Sequence, residues 1–389
     1  MRPADDTAGP GEPAFIADLD VLRRRRTFKW RAAGDDPRRI CLGVAEMDLY
    51  TPAFLRDVLQ EAVALGESGY GLCEEQEASC EAYLARHHGA SVAALRSTTD
   101  VLTGLRTVLE QELLPGSRVI VETPVYGDLF TVVREAGLQP VAVPLLRGER
   151  GYEHDWRALE AAAASGARGW ILCQPHNPVG RAWTEQEQGR AVSLALEHDL
   201  LLLANEVHIP LGLTGDPLPS AFADAGVHRV RAYGFTSASK AFNIAGLKSA
   251  TLYASERAAD RLTGVPQSLL GRPGSFGAIA TVACYERGDA WLAALRGRLA
   301  EHVRLVADAL AALPLTVHQP ECEATYLVWA ELPEGEDALR LAGALAASGV
   351  HVLPGASFGG TEFGHCFRFN AGAHPAVLGE AFERIRATL

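Results

Sequence analysis

The 389-residue chain contains no run approaching about 18 unbroken apolar residues, which speaks against a membrane-spanning helix. Its opening stretch, MRPADDTAGPGEP, lacks the apolar core of a secretory signal, so a cytoplasmic location is expected. The 7 cysteines (41, 73, 80, 173, 284, 322 and 366) are odd in number, widely scattered and without a Cys-x-x-Cys pair. That pattern fits a reducing compartment and speaks against a disulfide framework or a zinc site, so no metal is expected. Positive charge is in deficit: 36 Lys and Arg stand against 48 Asp and Glu, a formal net charge of −12. Nucleic acid or an anionic membrane would on average be repelled, and neither is expected as a partner. The one basic run, Arg23 to Arg26, reads as solvated or intersubunit surface. No repeat of fixed period and no low-complexity tract is present.

What is present is an ordinary globular composition, 48% hydrophobic and 22% charged, in a chain long enough for two domains. Residues 1 to 14, rich in Pro, Gly and Asp, read as a loose arm. From 95 to 255, short apolar runs at 118–121, 140–143, 169–173, 200–204, 230–235 and 249–253 alternate with amphipathic stretches. One of these, 184–197, starts with Thr184 and Glu187 in a capping-box pattern. Apolar runs that do not alternate, separated by helices, predict a mostly parallel sheet covered on both faces. A different texture follows, with a long helix over 290–313, strands at 325–329 and 367–370, and a closing helix over 375–388. The expected division is an N-terminal arm and part of a small domain over 1–50, a large domain over 51–285 and a small α+β domain over 286–389.

Ligands of open α/β sheets sit at the carboxyl ends of the strands. The residues that follow the apolar runs are Tyr126, Asn177, Asn205 and the group Ser237, Ser239 and Lys240. Lys240 lies among hydroxyls, with a helix-like run behind it and Lys248 farther on. Upstream, Thr99 and Asp100 are N-cap candidates for a helix reaching Leu113, and a helix start offers free N–H groups and a positive dipole end to a phosphate. Hydroxyls, a helix start and Lys248 would suit one phosphate, which leaves Lys240 for a carbonyl.

This constellation resembles the fold-type I pyridoxal-phosphate enzymes of the aminotransferase superfamily, over about residues 15 to 389. Within the superfamily the chain looks closest to the MalY/PatB-like cystathionine β-lyase branch, the C–S lyases. The match is carried, in order, by KW at 29, VAEMDLYTP at 44, GYG at 69, ETPVYGDLF at 122, QPHNPVGRAWT at 174, NEVHIPL at 205, SKAFNIAGLK at 239, EATYLVW at 323 and FRFNAG at 367.

The resemblance implies the aspartate aminotransferase fold: a mostly parallel seven-stranded sheet in a large α/β domain, and a smaller α+β domain. It implies that Lys240 forms an imine with pyridoxal 5′-phosphate and later moves the substrate's α-proton. Tyr126 would stack on the pyridine face, and Asn177 would donate to the phenolic oxygen. The N–H groups near Val101 and Leu102 would bind phosphate with Ser237, Ser239 and Lys248, Asp100 would be among the cofactor-binding residues, and Tyr70 would reach the phosphate of a neighbouring subunit in a homodimer with shared sites. Arg368 would clamp the carboxylate of a small amino acid substrate. His208 could support the cofactor or be a satisfied structural histidine, and Asp48 could line the substrate pocket or cap a loop.

One position departs from the family pattern. An aspartate is expected against the pyridine nitrogen, and this chain has Asn205 followed by Glu206. Three readings stay open: Glu206 or a shifted loop supplies the charge, although neighbours on an extended segment point oppositely; activity has been lost; or the chemistry tolerates a less protonated ring. The activity implied is β-elimination from a cysteine S-conjugate or a cystathionine-like amino acid in a biosynthetic pathway. Transamination, decarboxylating deamination of an S-linked cysteine unit, and a purely regulatory binding module are the alternatives.

Overall fold

Seven strands make one sheet in the spatial order Ala94–Thr98, Ala250–Ala254, Ala232–Thr236, Leu201–Asn205, Ala167–Cys173, Arg118–Thr123 and Gln139–Pro144. This is a computed structural model, and it describes residues 16–32, 38–71, 73–148, 151–317, 322–333 and 335–389. The arm expected over 1–14 lies outside the described residues. Ala250–Ala254 runs antiparallel to both of its neighbours, and the other pairings are parallel, as the apolar runs predict.

The central strands are buried at every position because successive side chains enter two different cores. Leu202 and Ala204 join Trp170 and Leu172 on one face, under residues of the helices Trp156–Ala164, Glu185–Glu197 and Ser275–Arg287. Leu201 and Leu203 join Ile171 and Cys173 on the other, under the helices Val101–Glu112, Asp128–Glu135 and Glu256–Gly264. The helix Glu185–Glu197 begins with the predicted capping box: Glu187 N–H donates to Thr184 Oγ1 at 3.2 Å, and Thr184 N–H donates to the Glu187 carboxylate at 2.8 Å.

A second, antiparallel sheet follows the order Thr316–Val317, Leu327–Glu331, Cys366–Asn370 and Leu353–Pro354. Its Val328, Phe367 and Phe369 pack with Val306 of the long helix Asp289–Ala311 and with Leu345, Leu378 and Ile385 of the helices Ala338–Ala347 and Pro375–Thr388. A two-strand parallel ladder, Ile40–Cys41 against Val350–His351, joins the early chain to this body.

Two local expectations are corrected. The strand expected at 325–329 begins at Leu327, because Thr325 has φ 72°, a left-handed backbone that cannot continue a ladder. The helix-like run after Lys240 is a series of turns closed by a 3-10 helix, Ala245–Leu247. There Asn243, at φ 58°, uses its carboxamide to hold both backbone groups of Met47, at 2.9 and 2.8 Å.

Candidate active site

The carboxyl ends of the parallel strands open into a cavity of about 650 Å³, bounded on its far side by the second sheet and the two-strand ladder. At one end lies the start of the helix Val101–Glu112. Asp100 caps it, accepting from Thr103 N–H at 2.9 Å, and pairs with Lys248 Nζ at 3.1 Å. Burial works against the Asp100 charge, yet the Thr103 N–H and Lys248 hold its carboxyl below the ordinary value. The N–H groups of Val101 and Leu102, in the first turn, have no intrahelical acceptor and line the cavity beside Ser239. Ser237 also lines the cavity, but its hydroxyl donates to Ser249 C=O at 2.6 Å and accepts from Ser239 N–H at 3.1 Å. In this arrangement the Ser237 hydroxyl is engaged by the backbone and orients Ser239.

Lys240 follows the strand Ala232–Thr236, and its Nζ donates to Ala45 C=O at 3.2 Å. Burial, reinforced by the Arg368 charge and opposed by Glu46, brings this amine down from 10.5 to about 8. A substantial neutral fraction is therefore present near neutral pH, which a nucleophilic amine requires. His208 is buried in the same cavity, with Nδ1 lacking a hydrogen-bond partner. Burial, with the Lys240 and Arg368 charges adding to it, keeps its imidazole neutral, well below its ordinary value.

Asn205 ends the strand Leu201–Asn205 and faces the cavity; its carboxamide oxygen accepts a long hydrogen bond from Val207 N–H at 3.5 Å. Glu206 turns away, as neighbours on an extended segment should. Its carboxylate accepts from Ser220 Oγ at 2.8 Å, from Ala221 N–H at 2.8 Å and from the Tyr253 hydroxyl. Tyr253 can come this close because residue 234 is glycine: a Cβ there would lie 2.0 Å from the Tyr253 ring. The reading in which Glu206 charges the Asn205 side of the cavity is thereby excluded.

Arg368, buried in the strand Cys366–Asn370, reaches the cavity from the second sheet. Its Nη1 donates to Asn177 Oδ1 at 3.0 Å and its Nη2 to Gly43 C=O at 2.6 Å, while Nε has no partner. It makes no ion pair with a described residue, and burial lowers its pKa to about 10, so it remains a cation at neutral pH. Because Asn177 uses its oxygen for Arg368, its amide nitrogen is left to donate. Tyr126 accompanies it, with its N–H on Asn177 C=O at 3.1 Å and its hydroxyl donating to Asp128.

Twelve expected residues therefore meet in one cavity, and two do not. Asp48 is fully buried elsewhere, its carboxylate accepting from Lys29 Nζ at 2.9 Å, Trp30 Nε1 at 2.8 Å and His374 N–H at 2.9 Å. This carboxylate is saturated by partners that tie the early chain to the closing helix, which corrects its expected place in the substrate pocket. Tyr70 is 96% exposed and borders a separate surface depression with Ser275 and Ile279. The sequence reading missed Cys41 and His351, which line the cavity from the two-strand ladder. Strands of two residues carry no periodicity by which to find them.

The donor set fits the expected cofactor: free helix N–H groups, Ser239 and Lys248 for a phosphate, a lowered amine for a carbonyl, and the amide of Asn177 for a phenolic oxygen.

Comparison with known proteins agrees with this geometry. The aminotransferase class I and II family matches residues 48–385. The cystathionine β-lyase of Corynebacterium glutamicum is 29% identical over 381 residues, covering 96% of this chain and 99% of that protein. The cystathionine β-lyase PatB of Bacillus subtilis is 28% identical over 382 residues, covering 94% and 97%. The crystal structure of cystalysin from Treponema denticola, which contains a pyridoxal 5′-phosphate cofactor, superposes with a TM-score of 0.87 at 24% identity, over 96% of this chain and 98% of that one. At that identity the superposition speaks for the fold alone.

Proposed function

The chain belongs to the aminotransferase class I and II family, and from that premise we propose that it is a pyridoxal-phosphate-dependent carbon–sulfur lyase cleaving the Cβ–S bond of a cysteine S-conjugate. The observation that carries this reading is the presence, in one cavity, of the Lys240 amine at a pKa of about 8 and the Arg368 guanidinium without an ion-pair partner.

When bound, pyridoxal phosphate supplies an aldehyde for amines and a ring that accepts electrons from the substrate Cα. The N–H groups of Val101 and Leu102, Ser239 and Lys248 bind its phosphate, with Asp100 holding Lys248 in place and Ser237 orienting Ser239. Tyr126 packs on its ring, Asn177 donates to its phenolic oxygen, and Asn205 and His208 present neutral polar groups to it. Arg368 has five N–H donors, of which two are engaged, so donors remain for the substrate α-carboxylate. Lys240 removes the proton from Cα, and the thiol leaves from Cβ. The overall reaction takes one water and yields the thiol, pyruvate and ammonium.

A homodimer with shared sites is part of this proposal. Tyr70 is exposed, and Val63 and Leu65 on the nearby helix Ala53–Leu65 are apolar and two-thirds exposed, at 66% and 68%. Mixing Tyr70→Phe with Lys240→Ala protomers tests it, because a shared site restores activity in the heterodimer and separate sites do not. A cytoplasmic location is supported by the seven cysteines, all free.

The reaction is tested by incubating the cofactor-loaded protein with S-substituted cysteines and identifying every product. Thiol with pyruvate is expected. A requirement for a 2-oxo acid would make it an aminotransferase, and carbon dioxide with an aldehyde would make it a decarboxylating enzyme.

A further inference from the structure

The roles above use the sheet edge of the cavity and Arg368, and leave the opposite wall without one. That wall is the ladder Ile40–Cys41 against Val350–His351, whose register sets Cys41 beside His351. Leu42 N–H holds it, donating to His351 C=O at 2.8 Å. Cys41 and His351 both line the cavity, flanked by Val44, Val352, Leu353 and, at the mouth, Phe28. The wall adjoins the carboxylate clamp, because Leu353 is the register partner of Arg368. Gly43 opens the space between them: a Cβ there would lie 3.3 Å from Leu353 Cβ, and its carbonyl accepts from Arg368.

The chemistry of the wall is specific. Its surface is apolar, with one imidazole whose Nε2 is buried and without a hydrogen-bond partner. Phe28 is 73% exposed and offers an aromatic face at the mouth, and the Cys41 sulfur is soft enough to pack on a ring. Among the described residues lining the cavity the only carboxylate is Asp100, already held by Lys248 and Thr103 at the phosphate end. Among the described residues the wall thus has no partner for a second ammonium, and the guanidinium beside it is assigned to the α-carboxylate.

We propose that the Cys41–His351 wall is the subsite for the sulfur substituent, and that it selects a neutral, ring-bearing group making one hydrogen bond to His351 over the zwitterionic arm of cystathionine. This rests on the carbon–sulfur lyase reading. Polar and charged arms lose their hydration on entering and find no counter-charge among the described residues, whereas an aryl group is desolvated favourably and its hydroxyl, where it has one, can pair with the His351 imidazole.

The test titrates the cofactor-loaded protein with S-(4-hydroxyphenyl)-L-cysteine, S-phenyl-L-cysteine and L-cystathionine, reading Kd from the cofactor's absorption change and measuring thiol release in parallel. The hydroxyphenyl conjugate should bind about tenfold more tightly than the phenyl one, and both more tightly than cystathionine. His351→Leu should abolish the tenfold difference, and His351→Gln, which keeps a hydrogen-bonding group, should retain most of it. Phe28→Ala, at the exposed mouth, should weaken both aryl conjugates at least about threefold more than cystathionine. Equal losses for the two aryl conjugates in His351→Leu, equal losses for all three ligands in Phe28→Ala, or tighter binding of cystathionine would overturn the subsite. Binding differences that appear as expected without any thiol release would uphold the subsite and count against the lyase reading.

Discussion

Arg368 and Asn177, 191 positions apart, share a hydrogen bond of 3.0 Å from guanidinium Nη1 to carboxamide Oδ1. One stands on the second sheet and the other follows a strand of the large sheet, so the bond ties the guanidinium proposed to take the substrate carboxylate to the amide proposed to face the cofactor. Arg368→Lys should therefore raise KM for a cysteine conjugate about 10- to 100-fold, the worth of one charge-assisted bond of about 1.5–3 kcal/mol. Steady-state kinetics check it, and an unchanged KM would remove Arg368 from substrate binding.

The lowered Lys240 amine has a pH signature. Only the neutral amine attacks a carbonyl, so the rate at which cofactor-free protein captures pyridoxal phosphate should rise with pH and reach half its maximum near 8. After the burial effect, the Arg368 charge is the next cause of the lowering, so Arg368→Gln should move that midpoint upward. Lys240→Ala should abolish borohydride-reducible attachment. A midpoint at the unperturbed lysine value would contradict the buried setting of the amine.

Asn205 and the neutral His208 face the cavity while Glu206 is turned into the Ser220–Tyr253 pocket. With no carboxylate beside it, the cofactor's ring nitrogen should lose its proton more readily than in Asn205→Asp, where the added charge should raise its pKa by at least about one unit, or about 1.4 kcal/mol. A pH titration with ¹⁵N-labelled cofactor measures this directly. Identical titrations would place Asn205 away from the ring nitrogen.

Asp48 and Lys29 form a pair whose side chains are 1% and 3% exposed. Asp48→Ala leaves a buried ammonium unpaired and should cost about 3–5 kcal/mol, read as a lower denaturation midpoint. Replacing both residues by apolar ones of similar volume should cost less. A large rise in KM at unchanged stability would return Asp48 to the substrate pocket.

The parallel strands, the capping box at Thr184 and the closing helix Pro375–Thr388 could be read because their causes are local: apolar runs, a hydroxyl three residues before a carboxylate, a proline in the first turn. Tyr126, Asn177, Asn205 and Lys240 were found because residues at strand ends are delivered to one edge whenever the strands are parallel. No local signal marked Thr325 or Asn243, whose positive φ values cut short an expected strand and an expected helix, since each is imposed by contacts far along the chain.

The amino-acid order alone thus carried six of the seven strands of the large sheet, its mostly parallel sense and the lysine at its edge, each a matter of near neighbours and short periods. Folding in three dimensions was needed to send Asp48 to Lys29, to turn the Ser237 proton toward Ser249, to join Arg368 to Asn177 and to set Cys41 beside His351. These pairings depend on register and packing between segments far apart in the chain, and side-chain type and spacing hold no information about which distant partner a buried polar group will meet.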